Sequence, residues 1–437
     1  MVPMSEYQQR RQQVMTQMGP NSVAFLPAAP ELIRNGDGHH LYRQNSNFVY
    51  LSGFEEPEAV VCLIPGRPEG EFILFCRPRN PDSEAWDGPR AGLEGACQTY
   101  GADEAFASED FVDVLPQLLQ GRDKVYYPVG QDSFFDDLLM DGINELRAKV
   151  RAGVAAPEEF ANIEPLIHEL RLFKSDNEIR VLSTAAEISV EAHLAAIKAC
   201  KPGMNEYELE AELMREFYRH GSRSPAYTSI VGSGNNACVL HYIANNRQMQ
   251  DGDLVLIDAG AEFHNYASDI TRTFPVNGKF SDAQRAIYQI VLDAQMAAVE
   301  SVKPGVSWHA IQEVILQVMV KGMVDIGLLA GEVDSLIAEQ AYMPFYWHRS
   351  GHWLGLDTHD VGNYKVDGEW RTLEPGMVFT IEPGIYIAED NQAADGKWRG
   401  IGVRIEDDIL VTDKGHEVLT VGLPKRIDDI EALMASL

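Results

Sequence analysis

The sequence predicts two domains: an α/β domain over residues 1–172 and an α+β domain over residues 173–437 built from an internal pseudo-twofold repeat. Three observations carry that expectation. Strand-like runs alternate with helical patterns through roughly the first 160 residues. A capping signal then opens a long helical pattern near Ser175. Beyond it, Lys201-Pro202-Gly203 recurs 102 residues later as Lys303-Pro304-Gly305.

In the first domain, Asn47 to Leu51, Ala59 to Ile64, Glu71 to Phe75 and Lys124 to Tyr127 read as strands, and Ser108 to Leu119 reads as a helix. The opening MVPMSEYQQRRQQVMTQMG is a polar helical stretch with no apolar export segment. A helical stretch from Ile163 leads to a boundary near Leu172, after which Ser175 and Glu178 form a capping box ahead of EIRVLSTAAEISVEAHLAAIKAC.

Each half of the second domain repeats one order of elements. Lys201-Pro202-Gly203 closes one helix, and Asn205 with Glu208 caps the next, AELMREFYRHG. The second copy continues as SWHAIQEVILQVMVKG. A histidine-bearing segment follows in each half, LHYIANN at His241 and GHWLGLDTH at His352. Next comes a glycine and an apolar strand ending in a carboxylate: GDLVLIDAG at Asp258 and GMVFTIEPG at Glu382. A further strand in each half carries another, Asp269 in YASDITRTF and Glu406 in VRIEDDILV. Two such units facing each other gather four carboxylates at their shared centre.

Asp258 and Asp269 are eleven residues apart, with the polar segment EFHN at their midpoint. A hairpin there sets the two strands antiparallel, with the acids nearly opposite on one face. Burying such acids without a neutralising partner costs several kcal/mol each. Four inward carboxylates and one histidine are what two divalent ions require, and mostly-oxygen ligation favours Mn²⁺. Ligand type alone also admits Zn²⁺, Co²⁺ or Fe²⁺. The chemistry expected is metal-assisted hydrolysis, and any one of the acids alone could equally be a solvated strand-end residue.

Composition narrows the classes. The 437 residues are 45% apolar and 23% charged, with Lys+Arg 36 against Asp+Glu 66 and a net charge of -30. Nucleic acid and anionic membrane are repelled by such a surface. The five cysteines (Cys62, Cys76, Cys97, Cys200, Cys238) are odd in number and scattered, which suits free thiols in a reducing compartment. No apolar run reaches the length of a membrane span. A cytoplasmic protein is expected.

The segments VLIDAGAEFHNYASDITRTFPVNGKF, GHWLGLDTHDVG, LEPGMVFTIEPGIYI and GIGVRIEDDILVT resemble the signature blocks of the creatinase/prolidase/methionine aminopeptidase superfamily, the pita-bread metallopeptidases. RQNSNFVYLSGFEEPEA points within it to the aminopeptidase P branch. The resemblance implies a creatinase N-terminal-like first domain, a pita-bread second domain, and hydrolysis of the first residue from peptides with proline second. It implies Asp258, Asp269, His352, Glu382 and Glu406 as ligands of two metal ions and a metal-bridging hydroxide as nucleophile, with Glu382 handling the proton. His241, His348 and His359 match histidines lining the family's site, where the alternative for each is an ordinary core or surface histidine.

Arg404 lies two residues before Glu406, on the same strand face, where it can orient a bridging carboxylate or form a plain salt bridge. Tyr227 and Tyr386 correspond to tyrosines near the family's site, with a core role the alternative. Asp37 and Trp86 match residues with which the family's first domain approaches substrate, Trp86 within a homotetramer. Prolidase, which cleaves Xaa-Pro dipeptides, is the nearest rival activity. A pita-bread binding module without metals is the non-enzymatic one.

Overall fold

The computed structural model describes residues 2–435, which divide into two compact units meeting at Arg171 and Leu172. The first unit is built on a six-stranded mixed sheet. Its central strand Ser22–Pro27 runs antiparallel to Val60–Leu63 on one side and parallel to Lys124–Tyr126 on the other. Phe72–Cys76 and Glu104–Ala107 extend it at one edge, Glu159–Ala161 at the other. Helices Phe111–Leu119 and Ser133–Ala148 bury Leu115, Leu119, Phe135 and Ile143 in one core with the sheet's Val23, Phe25 and Phe75.

One expected strand is a helix. Residues Ser46–Ser52, spanning the run expected as Asn47 to Leu51, form a short, almost wholly buried helix. A helix buried all round shows no amphipathic period, and its β-branched and aromatic content imitates a strand. Its ends explain it. The Asn45 side chain accepts from the Phe48 N–H, and Gly53 adopts the left-handed conformation at φ 66°. Arg10 and Arg11, buried on the Met4–Met18 helix, donate to the last-turn carbonyls of Tyr50 and Leu51 at 3.2 and 2.8 Å. The polar opening helix therefore has a structural task that its composition conceals.

The second unit repeats a helix pair and a set of short antiparallel strands. Asp176–Ala199 packs with Glu206–Arg219, and Asp282–Ser301 with Trp308–Asp325. The capping boxes at Ser175/Glu178 and Asn205/Glu208 are both formed. The first half contributes the sheet of Ile230–Ser233, Leu254–Asp258 and Thr271–Pro275. The second contributes Val378–Ile381 with Asp407–Thr412, and Gly384–Ile387 with Ile401–Arg404. A continuous core including Ile257, Phe274, Phe379, Ile381, Val403 and Ile409 runs through both halves.

Just inside this unit Lys174 sits wholly buried, its ammonium 3.0 Å from Asp360 Oδ2, while its N–H donates to the Gly376 carbonyl at 2.8 Å. Asp360 follows His359 in the loop after His352. Among the described residues no helix is long and apolar enough to cross a membrane.

Candidate metal centre

The strand registers decide where the acids point. Asp258 stands opposite Thr271, and the hairpin beyond keeps that register with Glu262 opposite Ala267. The chain reverses at His264 and Asn265, both at positive φ (48° and 67°), as a two-residue type I′ turn demands. Asp269 therefore stands two positions from Asp258's partner. The two acids share a face as expected, but as a diagonal pair and not an opposed one. Gly260 makes the close passage possible: a Cβ there would lie 1.6 Å from the Ser268 carbonyl oxygen. In the second half Ile381 opposes Asp407 and Gly384 opposes Arg404, a register that sets Glu382 directly against Glu406.

These strands converge on a cavity of about 230 Å³ lined by Asp258, Asp269, Glu382 and Glu406, with His241, His348, His352, His359 and Arg404. His352 Nδ1 lies 3.0 Å from the Trp353 carbonyl, the contact that holds a proton on that nitrogen and turns Nε2 toward the acids. Nε2 is 3.3 Å from Asp269 Oδ2 and 3.9 Å from Glu382 Oε1. Asp269, His352 and Glu406 offer donor atoms that all lie within 4.8 Å of one another. The His359 ring stacks edge-on to His352 at 4.3 Å.

Arg404 bonds across the repeat: the carboxylate its guanidinium reaches is Asp258 from the other half, at 2.5 Å. Glu406 is held by the Thr271 hydroxyl at 2.7 Å, to which Arg404 Nε also donates at 3.1 Å. Both tyrosines bond to site residues: Tyr227 Oη is 2.5 Å from a carboxylate oxygen of Asp258 and of Asp269. Tyr386 Oη receives Arg404 Nη1 at 3.0 Å and meets His348 Nε2 at 2.9 Å. Asp37 and Trp86 belong to the first unit, where Asp37 is exposed in the hairpin of Ile33–Asn35 and Gly38–His39. Trp86, at 90% exposure, rides the short helix Pro81–Asp87.

A layer behind the four acids escaped sequence reasoning. Arg272 donates to the Glu406 carbonyl at 2.6 Å and to Asp407 Oδ1 at 2.7 Å. Lys425 and Gln295 reach Asp407 Oδ2 at 2.6 and 2.8 Å. Asp408 accepts from the Ser268 hydroxyl at 2.9 Å and the Asp269 N–H at 3.2 Å. The available signals were an arginine inside the apolar strand ITRTF and the doubled acid after Glu406.

The electrostatics favour added positive charge. Burial, with Asp269 and Glu382 nearby, holds the Glu406 carboxyl well above its usual range. Burial also pushes Glu382 up to about 7. Burial would lower His352, but its hydrogen bond to Asp269 and the surrounding acids carry it up to about 9. Burial lowers Asp407 not at all; it opposes the pull of Arg272 and Lys425, which wins and leaves that carboxyl at about 2. His348, desolvated and near Arg404, falls to about 4 and stays neutral at pH 7. The single Tyr227 phenolic proton cannot serve two carboxylates at once, and Arg404 is the one arginine or lysine bonded to any of the four carboxylate groups among the described residues. The donor set therefore fits divalent cations, whose charge offsets the burial and crowding that hold Asp258, Glu382 and Glu406 above their usual range.

Residues 180–413 match Metallopeptidase family M24, and residues 7–126 match the aminopeptidase P N-terminal domain. The chain is 48% identical to an Xaa-Pro aminopeptidase of Escherichia coli over 432 residues, covering 99% of this chain and 98% of that protein. The structure of Pseudomonas aeruginosa aminopeptidase PepP superposes with a TM-score of 0.98 at 57% identity, covering 100% of this chain and 98% of the other. A variant of Escherichia coli aminopeptidase P in complex with substrate superposes with a TM-score of 0.97 at 47% identity, covering 100% and 99%. With the fold, the acid set and full-length relatives in agreement, the chain belongs to Metallopeptidase family M24, in its branch with an aminopeptidase P N-terminal domain.

Proposed function

We propose that the cavity holds two divalent ions, Mn²⁺ in the working enzyme, on Asp258, Asp269, His352, Glu382 and Glu406. The activity is removal of the first residue from peptides in which proline stands second. The observation that carries the reading is the convergence of three buried carboxylates, the half-buried Glu382 and the His352 Nε2 on one cavity. All-oxygen and imidazole donors suit manganese. When bound, the ions supply a nucleophile from water near neutral pH and polarise the scissile carbonyl.

The chain's own residues then have separate tasks. Glu382 faces His348 and His352 across the cavity and moves the proton from the attacking water to the departing proline nitrogen. His359 and the neutral His348 offer hydrogen bonds to the reacting carbonyl or to the proline carbonyl, as does His241. Arg404 and Tyr386 hold Asp258 and His348 in place, and Tyr227 spans Asp258 and Asp269. The first unit serves oligomerisation and substrate covering: an exposed tryptophan such as Trp86 suits a contact surface, and a cytoplasmic homotetramer with Asp37 near the peptide amine is the arrangement proposed.

The test is an assay of the purified protein with Mn²⁺ on an Xaa-Pro-Xaa tripeptide, an Xaa-Pro dipeptide and a matched Xaa-Ala-Xaa tripeptide. Release from the first alone is expected. Cleavage of the dipeptide alone would make it a prolidase, and inertness on all three would point to a binding module.

A further inference from the structure

We propose that Glu206 is a positioning residue for His241, clamping the loop that presents this imidazole to the cavity. Glu206 opens the helix Glu206–Arg219, between Asn205 and Glu208 of the capping box, and is completely buried. It does not line the metal cavity. Its carboxylate accepts five hydrogen bonds, from donors on both sides of His241. Upstream, Oε1 receives the Ser233 N–H and hydroxyl, each at 2.7 Å, and the Asn236 side-chain amide at 3.2 Å. Downstream, Oε2 receives the Tyr242 hydroxyl at 2.8 Å and the Arg247 N–H at 2.9 Å.

Between those stems the loop is held by apolar packing, with Leu240 and Tyr242 against Ile230, Leu256 and Tyr386, and the carboxylate supplies its polar anchor. Residues 239–246 form neither helix nor strand, and Val239 and Ile243, two positions either side of His241, are 51% and 57% exposed. Asn245, at φ 46°, anchors the far end: its side chain accepts from the Val231 N–H and donates to the Ser229 carbonyl and to Glu210 Oε2, both at 2.9 Å. A carboxylate that gathers donors from positions 233 to 247 draws both stems of this loop to one point. It therefore sets where the imidazole between them stands. Bonds to a charged acceptor are the strong class, and burial keeps water from replacing them.

The inference rests on the reading that His241 meets the substrate, so the test separates the two. Glu206→Gln, Tyr242→Phe and His241→Ala are each assayed on an Xaa-Pro-Xaa peptide in the full chain loaded with Mn²⁺, singly and as double variants with His241→Ala. Metal content and melting temperature are measured alongside. Expected are losses in kcat/KM of about tenfold or more for His241→Ala and Glu206→Gln and about fivefold for Tyr242→Phe, metal content being kept. In the His241→Ala background the other two changes should alter kcat/KM by less than about twofold, because no imidazole remains to be placed.

Undiminished multiplicative losses in that background would overturn the clamp and leave His241's own role standing. Wild-type turnover of His241→Ala itself would overturn that role and the clamp with it. If Glu206→Gln does not fold, Tyr242→Phe, which deletes one hydroxyl, decides by the same comparison.

Discussion

Replacing Lys174 by methionine tests how the loop carrying His359 is held. The Lys174 ammonium and the Asp360 carboxylate are each 1% exposed and 3.0 Å apart, so the substitution keeps the aliphatic stem and removes the ammonium from a buried ion pair. Breaking a buried pair from one side costs about 3–5 kcal/mol. A unit of this size unfolds with an entropy of roughly 0.5–0.6 kcal/mol per kelvin, so the melting midpoint should fall by about 5–9 °C. Scanning calorimetry on the metal-loaded protein reads this directly. The double variant Lys174→Met/Asp360→Asn removes both charges of the pair while keeping the shape of each side chain and should recover more than half of the loss. A single variant within about 1 °C of the parent, or a double variant no better than the single, would refute the charge argument.

Asp269→Ala or Glu406→Ala should abolish both metal retention and turnover, and a variant with normal metal content and activity would overturn the ligand assignment. His359→Ala is expected to retain the metals and lose turnover by about a hundredfold or more, read by elemental analysis beside the peptide assay. Chelation by EDTA should inactivate the enzyme and Mn²⁺ should restore it best; full activity after verified metal removal would exclude the mechanism. His193 is completely buried, within 2.9 Å of the Ala259 carbonyl, and burial lowers its pKa to about 4. Its folded pKa lies below the unfolded value near 6.5, so its contribution to stability is full above about pH 6.5 and lost as pH falls toward 4. That loss is about 3 kcal/mol at most. Urea midpoints between pH 7 and 4 should fall less steeply in His193→Gln; an unchanged slope would rule out this source.

The four acids were legible as one set because each interrupts or ends an apolar strand and the pattern occurs twice. Asp258 and Glu382 close strands of four or five buried residues, where a lone carboxylate has no structural excuse. Partners across the repeat were not legible. Spacing puts Arg404 beside Glu406, yet its guanidinium crosses to Asp258, 146 residues away in the chain. Only the packing of one half on the other creates that contact. Burial of both members of Asp407-Asp408 likewise defeats the alternation that would put one of them in solvent. The Ser46–Ser52 helix was misread because its stabilising groups, Arg10 and Arg11, come from a segment some 40 residues earlier. Glu206 was overshadowed by the capping box beside it.

Four converging carboxylates with one bonded arginine make the cation supply a variable of folding as well as of catalysis. The folded chain offers the ions a converged site and the unfolded chain does not, so a free cation at a hundredfold excess over its dissociation constant adds about 2.7 kcal/mol to stability. Scarcity works in the opposite direction. A cell short of the metal would then lose not only turnover but the protein itself, because the unloaded chain opens more often to proteases. Enzyme abundance would follow metal supply with no change in synthesis.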